Sequence, residues 1–141
     1  MKKGGKIFLI IIILILILFF IRLLSPREID DVHPLRPCED NYIKKADILW
    51  IMPKYQNFSI SENKTWCNEI LKMNKTLGMH GITHSYQEFK NNISNEEFSE
   101  AIQIFEDCFD YKPTMFKSPY LKISKENKEF CLFIISPNFF T

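Results

Sequence analysis

The chain has 141 residues, and its apolar residues are concentrated near the amino terminus. Residues 7–21 are all apolar. The remaining length, about 115 residues, suffices for one small domain and excludes a two-domain enzyme. The first 26 residues contain four basic residues and no acidic one, whereas the remainder contains 14 basic and 17 acidic residues. A weakly acidic domain without a basic stripe argues against nucleic acid as a partner.

The amino-terminal segment predicts a membrane anchor. Residues 1–6 form a basic head, and residues 7–24 are apolar except for Arg22, which is long enough for a short transmembrane helix. No Ala-x-Ala-like site follows, so we expect a signal anchor, with a cleaved signal peptide as the alternative. The basic head keeps the amino terminus in the cytoplasm by the positive-inside rule. We therefore expect a single-pass membrane protein whose carboxy-terminal domain, residues 27–141, is extracytoplasmic.

The rest of the chain alternates between strand and helix patterns. Strands are predicted at residues 27–32, 46–52, 77–79, 113–117 and 130–135, and helices at residues 61–74, 94–109 and 124–128. Residues 33–41 contain two prolines and are predicted to form a loop. This alternation predicts an α/β fold with a parallel sheet, in which ligands gather at the carboxyl ends of the strands.

Four cysteines follow the predicted anchor: Cys38, Cys67, Cys108 and Cys131. Four cysteines in an exported domain can pair in three ways, and the sequence does not choose among them. Unpaired, half-buried thiols are the other possibility. No C-x-x-C pattern is present, so neither a zinc knuckle nor a redox motif is indicated.

Two groups of polar residues lie at the ends of predicted strands and are candidates for chemistry. Asp30 and Asp31 are adjacent carboxylates, which repel each other unless a cation or a donor compensates them. His80 and His84 are four residues apart, a spacing at which two imidazoles can hold one metal ion. A carboxylate with two histidines leaves open coordination positions, as in catalytic metal sites. His33 could add a ligand or an acid, but a loop histidine before a proline is the simpler interpretation.

The order of three segments resembles that of a known family. IDDV (29–32), LGMHGITHSYQEF (77–89) and PTMFKSPY (113–120) are similar to the motifs of the NodB-type polysaccharide deacetylases and their deacetylase-like relatives. That family has an Asp-Asp motif, a His-x-x-x-His motif and an Arg-x-x-Pro-Tyr-type motif, in that order, on a distorted β/α barrel. The resemblance covers about residues 27–125 and implies metal-dependent hydrolysis of N-acetyl groups on a glycan.

The resemblance also implies a role for individual residues. Asp31, His80 and His84 would hold a divalent metal ion, for which Zn²⁺ is expected, and Asp30 would be the general base that activates the attacking water. The backbone N–H of Tyr120 would help to hold the oxyanion. The expected partners are therefore a glycan substrate and the membrane.

The sequence departs from the family pattern in two places. Lys117 stands where the family commonly has an arginine beside the catalytic aspartate, and lysine cannot supply a bidentate fork. No histidine follows His84, although the family uses a later histidine as the general acid. We therefore expect a truncated, partial barrel whose activity is strongly reduced or lost. The alternatives are a site completed by another subunit, a binding module that keeps the metal face without turnover, and a non-catalytic anchored interaction module without metal.

Overall fold

The chain after the amino-terminal helix alternates between strands and helices. The structure is a computed structural model that describes residues 3–135. The helices are α1 (Lys3–Leu24), α2 (Asp40–Lys45), α3 (Lys64–Lys72), α4 (Asn95–Phe109) and α5 (Lys125–Ile135). The strands are β1 (Glu28–Val32), β2 (Ile48–Ile51), β3 (Lys54–Tyr55), β4 (Phe58–Ser59) and β5 (Thr76–Met79).

α1 is the apolar helix that the sequence predicts. Its span Gly4–Leu24 has 21 residues, a mean hydropathy of 3.5 and no buried residue. At 1.5 Å per residue this span is about 30 Å long, the thickness of the hydrocarbon core of a bilayer. Residues 3–6 of the predicted basic head belong to the helix. α1 is thus long and apolar enough to cross a membrane, a property that signal sequences share.

The central sheet is parallel, as predicted, with the strand order β1-β2-β5. Glu28 pairs with Ile48, and Ile48 pairs with Thr76, so the three strands begin at one edge. A parallel bridge between Met79 and Phe116 extends the sheet by one residue pair. Among the described residues the sheet is open, so they do not confirm the expected partial barrel.

The core lies between this sheet and the helices that cover it. β2 is short and buried over Leu49, Trp50 and Ile51, as the continuous apolar run predicts. The apolar face of α4 is fully inside the core and comprises Phe98, Ala101, Ile102, Phe105 and Phe109. The predicted capping box is present, since Ser94 and Glu97 each accept a hydrogen bond from the other's backbone N–H.

The structure pairs two of the four cysteines and leaves the other two unpaired, so each of the two expectations holds for half of them. Cys67 in α3 and Cys108 in α4 form a disulfide across a sequence separation of 41 residues. Cys38 and Cys131 are free thiols. Burial raises the pKa of the Cys131 thiol to about 12, so this group stays protonated at neutral pH.

The prediction of a strand at residues 130–135 is wrong, because these residues lie in α5. Ser124 starts the helix: its Oγ accepts a hydrogen bond from the backbone N–H of Asn127. The charged segment that follows forms helices readily and contains neither glycine nor proline. A short apolar run fits a strand and a buried helix equally well, and here the helix already begun continues through it.

Two further segments differ from their predictions. Residues 113–117 form only the bridge at Phe116, in which the Met115 carbonyl and the Lys117 N–H bond to the backbone of Met79. The predicted loop at residues 33–41 ends earlier, because α2 begins at Asp40. The hairpin of β3 and β4 was not predicted; Gln56 and Asn57 make its turn with positive φ angles.

Asn127 links α5 to the segment before α4, and its removal should destabilise the domain. Its amide is buried and donates to the carbonyl oxygens of Phe89 and Asn91. We expect Asn127→Ala to lower the free energy of unfolding by about 1–3 kcal/mol, because these acceptors lose their donor. Urea denaturation measures this change. Lys128→Ala, at an exposed position of the same helix, should change stability by less than about 0.5 kcal/mol; equal effects would contradict the assignment.

Candidate metal centre

Three candidate ligands converge at the carboxyl ends of the parallel strands. Asp31 lies near the end of β1, His80 directly follows β5, and His84 lies in the loop after it. One ligand atom from each side chain lies within 4.8 Å of the other two. Asp31 Oδ1 is 2.9 Å from His84 Nε2 and 3.4 Å from His80 Nε2. These are the residues in which the sequence predicts a metal site.

His80 carries its proton on Nδ1, which leaves Nε2 free to bind a cation beside Asp31. Its Nδ1 lies 2.9 Å from the backbone carbonyl of Lys117, which can only accept a hydrogen bond, so Nδ1 carries the proton. Burial lowers the pKa of His80, an effect that its hydrogen bond to Lys117 only partly opposes. The neutral ring therefore presents the lone pair of Nε2 to Asp31, as a metal ligand does.

Asp31 Oδ1 is the second indication of a cation. This oxygen is buried and has no hydrogen-bond partner, although His84 Nε2 is close enough for one. The close pair thus lacks the alignment of a hydrogen bond, and Oδ1 also faces the lone pair of His80. Buried acceptors that face one another without a donor are unfavourable unless a positive charge lies between them. The donor set fits a divalent ion held by two imidazoles and one carboxylate.

The backbone at the site is in an unusual conformation. Asp31, His84 and Tyr120 have φ angles of 62°, 61° and 56°, in the left-handed region that non-glycine residues seldom occupy. The pairing of β1 with β2 shifts register between Ile29 and Val32, so a bulge surrounds the two aspartates. Bulges and left-handed residues concentrate at functional sites, where they aim side chains that a regular strand would point elsewhere.

Asp30 contacts a lysine instead of the three candidate ligands. Lys117 Nζ lies 2.7 Å and 3.0 Å from the two carboxylate oxygens of Asp30 and 3.0 Å from Glu28 Oε2. The Lys117 ammonium also lies over the ring of Trp50, whose Nε1 donates to Glu28. Partial burial lowers the pKa of Lys117, but the bonds to Asp30 and Glu28 outweigh it and the net pKa is raised. The Lys117 ammonium therefore holds the Asp30 carboxylate in position.

Arg36 is a site residue that the sequence did not indicate. Its guanidinium Nη1 lies 2.9 Å from Asp31 Oδ2, the oxygen that does not face the histidines, and it stacks over Tyr55 at 5.6 Å. The arginine thus orients the Asp31 carboxylate with Oδ1 toward the two imidazoles. Nothing in the spacing of Arg36 from the aspartates signals this contact, which depends on how the loop after β1 folds back.

Glu88 is the second residue that the sequence did not indicate. Its carboxylate accepts hydrogen bonds from the backbone N–H groups of Ile82 and Thr83 at 2.9 Å and 2.8 Å, and from the Thr83 hydroxyl at 2.6 Å. It thereby organises the loop that carries His84. Gly81 has a φ of +70°, and a Cβ there would lie 2.5 Å from Pro119 Cγ and 2.6 Å from Glu88 Oε2. Only glycine allows this approach.

Tyr120 and His33, the other two residues considered from the sequence, lie in different surroundings. The Tyr120 ring is half exposed and lies 5.2 Å from the His84 ring, so its side chain borders the site. His33 is buried: its Nδ1 accepts from the Leu35 N–H, and its Nε2 therefore donates to the Phe58 carbonyl. Both ring nitrogens are engaged, which supports the loop interpretation of His33.

The role of Glu88 can be tested through metal affinity. Glu88→Ala should weaken Zn²⁺ binding by about 10–100-fold, the range typical of residues that position ligands, because the loop of His84 loses three hydrogen bonds. Competition with a chromophoric chelator measures the affinity. Glu96→Gln, an exposed carboxylate in the first turn of α4, should leave it unchanged. Wild-type affinity in Glu88→Ala would show that the loop keeps its shape without this carboxylate.

Comparison with known proteins supports the fold. No family model matches the sequence, and no curated protein matches it. The Xyl-CE4 domain of a multidomain xylanase from the hindgut metagenome of Trinervitermes trinervoides superposes with a TM-score of 0.53 and 17% identity, over 74% of this chain and 52% of that chain. A CE4 family pseudoenzyme from Bacillus anthracis superposes with a TM-score of 0.51 and 17% identity, over 79% of this chain and 46% of that chain.

The chain thus spans about half the length of the solved structures that it matches. At these identities the likeness concerns the fold. The resemblance drawn from the three sequence motifs is confirmed at that level: the chain is structurally similar to the CE4 domains, which are NodB-type polysaccharide deacetylase domains.

Proposed function

We propose that the chain is a membrane-anchored, metal-dependent deacetylase-like protein that acts on N-acetyl groups of an extracytoplasmic glycan. The observation that carries the proposal is the convergence of Asp31, His80 and His84, with a buried carboxylate oxygen that lacks a donor. The fold of the CE4 domains provides independent support. The apolar helix α1 supports the anchoring.

The proposed roles follow from what each side chain contacts. Asp31, His80 and His84 would hold the ion. A bound divalent ion would polarise the carbonyl of the N-acetyl group and lower the pKa of a water molecule. Asp30 is the carboxylate next to the ligands, and its contact with Lys117 would orient it to accept a proton from that water. The Lys117 carbonyl holds the ring of His80, so this residue serves both groups.

No histidine of this sequence is free to act as the general acid. The sequence has three histidines; two are candidate ligands, and both ring nitrogens of His33 are engaged. Without a general acid among these histidines, this chain by itself should hydrolyse the substrate about 10²–10⁴-fold more slowly. A metal- and glycan-binding module without turnover is therefore the second candidate, and one of the structural neighbours is itself described as a pseudoenzyme.

Acetate release from N-acetylglucosamine oligomers tests the proposal. The full chain in detergent, loaded with Zn²⁺, should release acetate slowly, and Asp30→Asn should abolish the release while retaining metal. Asp40→Asn, an exposed aspartate in the first turn of α2, should behave as wild type. Metal and oligomer binding without acetate would favour the binding module, and absence of metal binding would reject both candidates.

A further inference from the structure

The chain passes from α1 into the sheet at the edge opposite the candidate site. We define this basal edge by the amino-terminal ends of β1, β2 and β5 and the carboxy-terminal ends of α2 and α3. Only residues 25–27 separate Leu24, the last residue of α1, from β1. Because the strands are parallel and in register, the starts of β2 and β5 lie beside that of β1.

Basic side chains are concentrated at the basal edge, although the domain as a whole is acidic. They are Arg22, Arg27, Lys44, Lys45, Lys72 and Lys75. The Lys75 ammonium donates to the carbonyl of Lys44, so the segments before β2 and β5 meet. Within residues 3–135, Lys44, Lys45 and Lys72 are exposed and make no ion pair with a carboxylate.

Asp47, directly before β2, is an acidic residue at the basal edge, and its charge is compensated by Arg27. Arg27 contacts Asp47 through its side chain at 3.2 Å and through its backbone N–H at 2.9 Å. These hydrogen bonds lower the pKa of Asp47 to about 2, with a smaller contribution from the charge of Lys75. Among the described residues, the remaining lysines at this edge pair with no carboxylate, and the six basic residues there outnumber the acidic residues Glu28 and Asp47 at the strand starts.

We propose that the basal edge docks on anionic phospholipid headgroups, so that the domain lies against the bilayer from which α1 emerges. This inference rests on the retention of α1 as an anchor, which the proposed function also assumes. Three extended residues reach about 10 Å at most, which matches the Debye length of about 8–10 Å near physiological ionic strength. The short connection thus holds the lysines within the field of an anionic surface.

Docking would also set the direction in which the candidate site opens. Each basic residue near an anionic membrane strengthens binding about fivefold, so three exposed lysines suffice to favour one orientation. β1 has five residues, so at about 3.3 Å per residue the opposite edge lies about 16 Å further from the bilayer. The site would then face away from the lipid, toward a glycan outside the membrane.

Lysine acetylation in nanodiscs tests the docking. The full chain is placed in phosphatidylcholine alone or in an equal mixture with phosphatidylglycerol, and the acetylation rate of each lysine is measured by mass spectrometry. We expect the anionic lipid to slow acetylation of Lys44, Lys45 and Lys72 about tenfold. Lysines in segments that adjoin the site, Lys90, Lys122 and Lys125, should react equally in both discs. About 1 M NaCl should abolish the difference, because it shortens the Debye length to about 3 Å.

A charge variant provides the second measurement. Energy transfer from the two native tryptophans to a dansyl lipid should increase when phosphatidylglycerol is present. Lys44→Gln/Lys45→Gln/Lys72→Gln should lose this increase, whereas the matched variant Lys90→Gln/Lys122→Gln/Lys125→Gln should keep it. All six positions are exposed, so both variants should melt as wild type.

Equal acetylation in the two discs, or an increase that survives in the basal variant, would overturn the inference. Neither measurement requires metal or glycan. If docking were absent and metal binding intact, only this inference would be rejected. The proposed function is tested separately, by acetate release.

Discussion

Asp31→Asn should reduce the affinity for Zn²⁺ by more than the about 10–100-fold typical of residues that only position ligands. The amide keeps the size of the side chain but removes the negative charge and offers a donor on one side. Oδ1 of Asp31 is the atom that both candidate histidines approach, at 2.9 Å and 3.4 Å. His84→Ala should have a similar effect, because it removes a ligand that is partly exposed and contributes little to the core.

Metal titration of the full chain in detergent measures this loss. Zn²⁺ at about 100 times its dissociation constant should stabilise the wild type by about 2.7 kcal/mol, and this gain should vanish in Asp31→Asn. Asp40→Asn serves as the matched control because it lies in α2, outside the ligand cluster. If Asp31→Asn and His84→Ala both bound Zn²⁺ as wild type does, the ion would have to bind elsewhere.

Cys67→Ser/Cys108→Ser should be the most destabilising change outside the site. The disulfide closes a loop of 41 residues, and the loop-entropy relation assigns it about 4 kcal/mol at 25 °C. For a domain of this size the loss corresponds to a fall in Tm of about 10–20 °C. Both cysteines are buried between α3 and α4, so the two helices would also lose their direct covalent connection.

Thermal unfolding with and without reductant checks this prediction. Reductant should lower the Tm of the wild type and leave that of the double variant unchanged. Cys38→Ser, at a half-buried free thiol, should respond to reductant as wild type does. Alkylation without reductant should modify Cys38 and spare Cys131, whose burial raises its pKa. A Tm independent of reductant in the wild type would argue against the disulfide.

The candidate site was predictable because its main residues lie near the carboxyl ends of strands. Asp30 and Asp31 lie in the second half of β1, His80 directly follows β5, and those strand ends share one edge of the sheet. His84 is brought along by the short loop that follows His80. The rule that ligands bind at the carboxyl ends of parallel strands requires only the order of strands and helices, and apolar periodicity predicts that order.

Other parts of the site were not predictable. Arg36 and Glu88 lie on loops, and each acts through a contact that depends on the path of the backbone, including positive φ angles at Asp31 and Gly81. Periodicity describes which face of a regular element is buried, and it contains no information about such paths. The same limit explains the missed hairpin of β3 and β4, whose turn lacks glycine.

The amino-acid sequence was enough to predict the apolar helix, the parallel α/β order and the apolar face of α4, because each of these depends on local composition or on a short repeat along the chain. The order of the strands was enough to name the candidate ligands. Three other features depend on the folded chain: Cys67 pairs with Cys108, residues 130–135 continue a helix, and Lys117 holds Asp30. These outcomes depend on which segments pack against one another, because a contact between distant residues is settled by the competition of all possible packings.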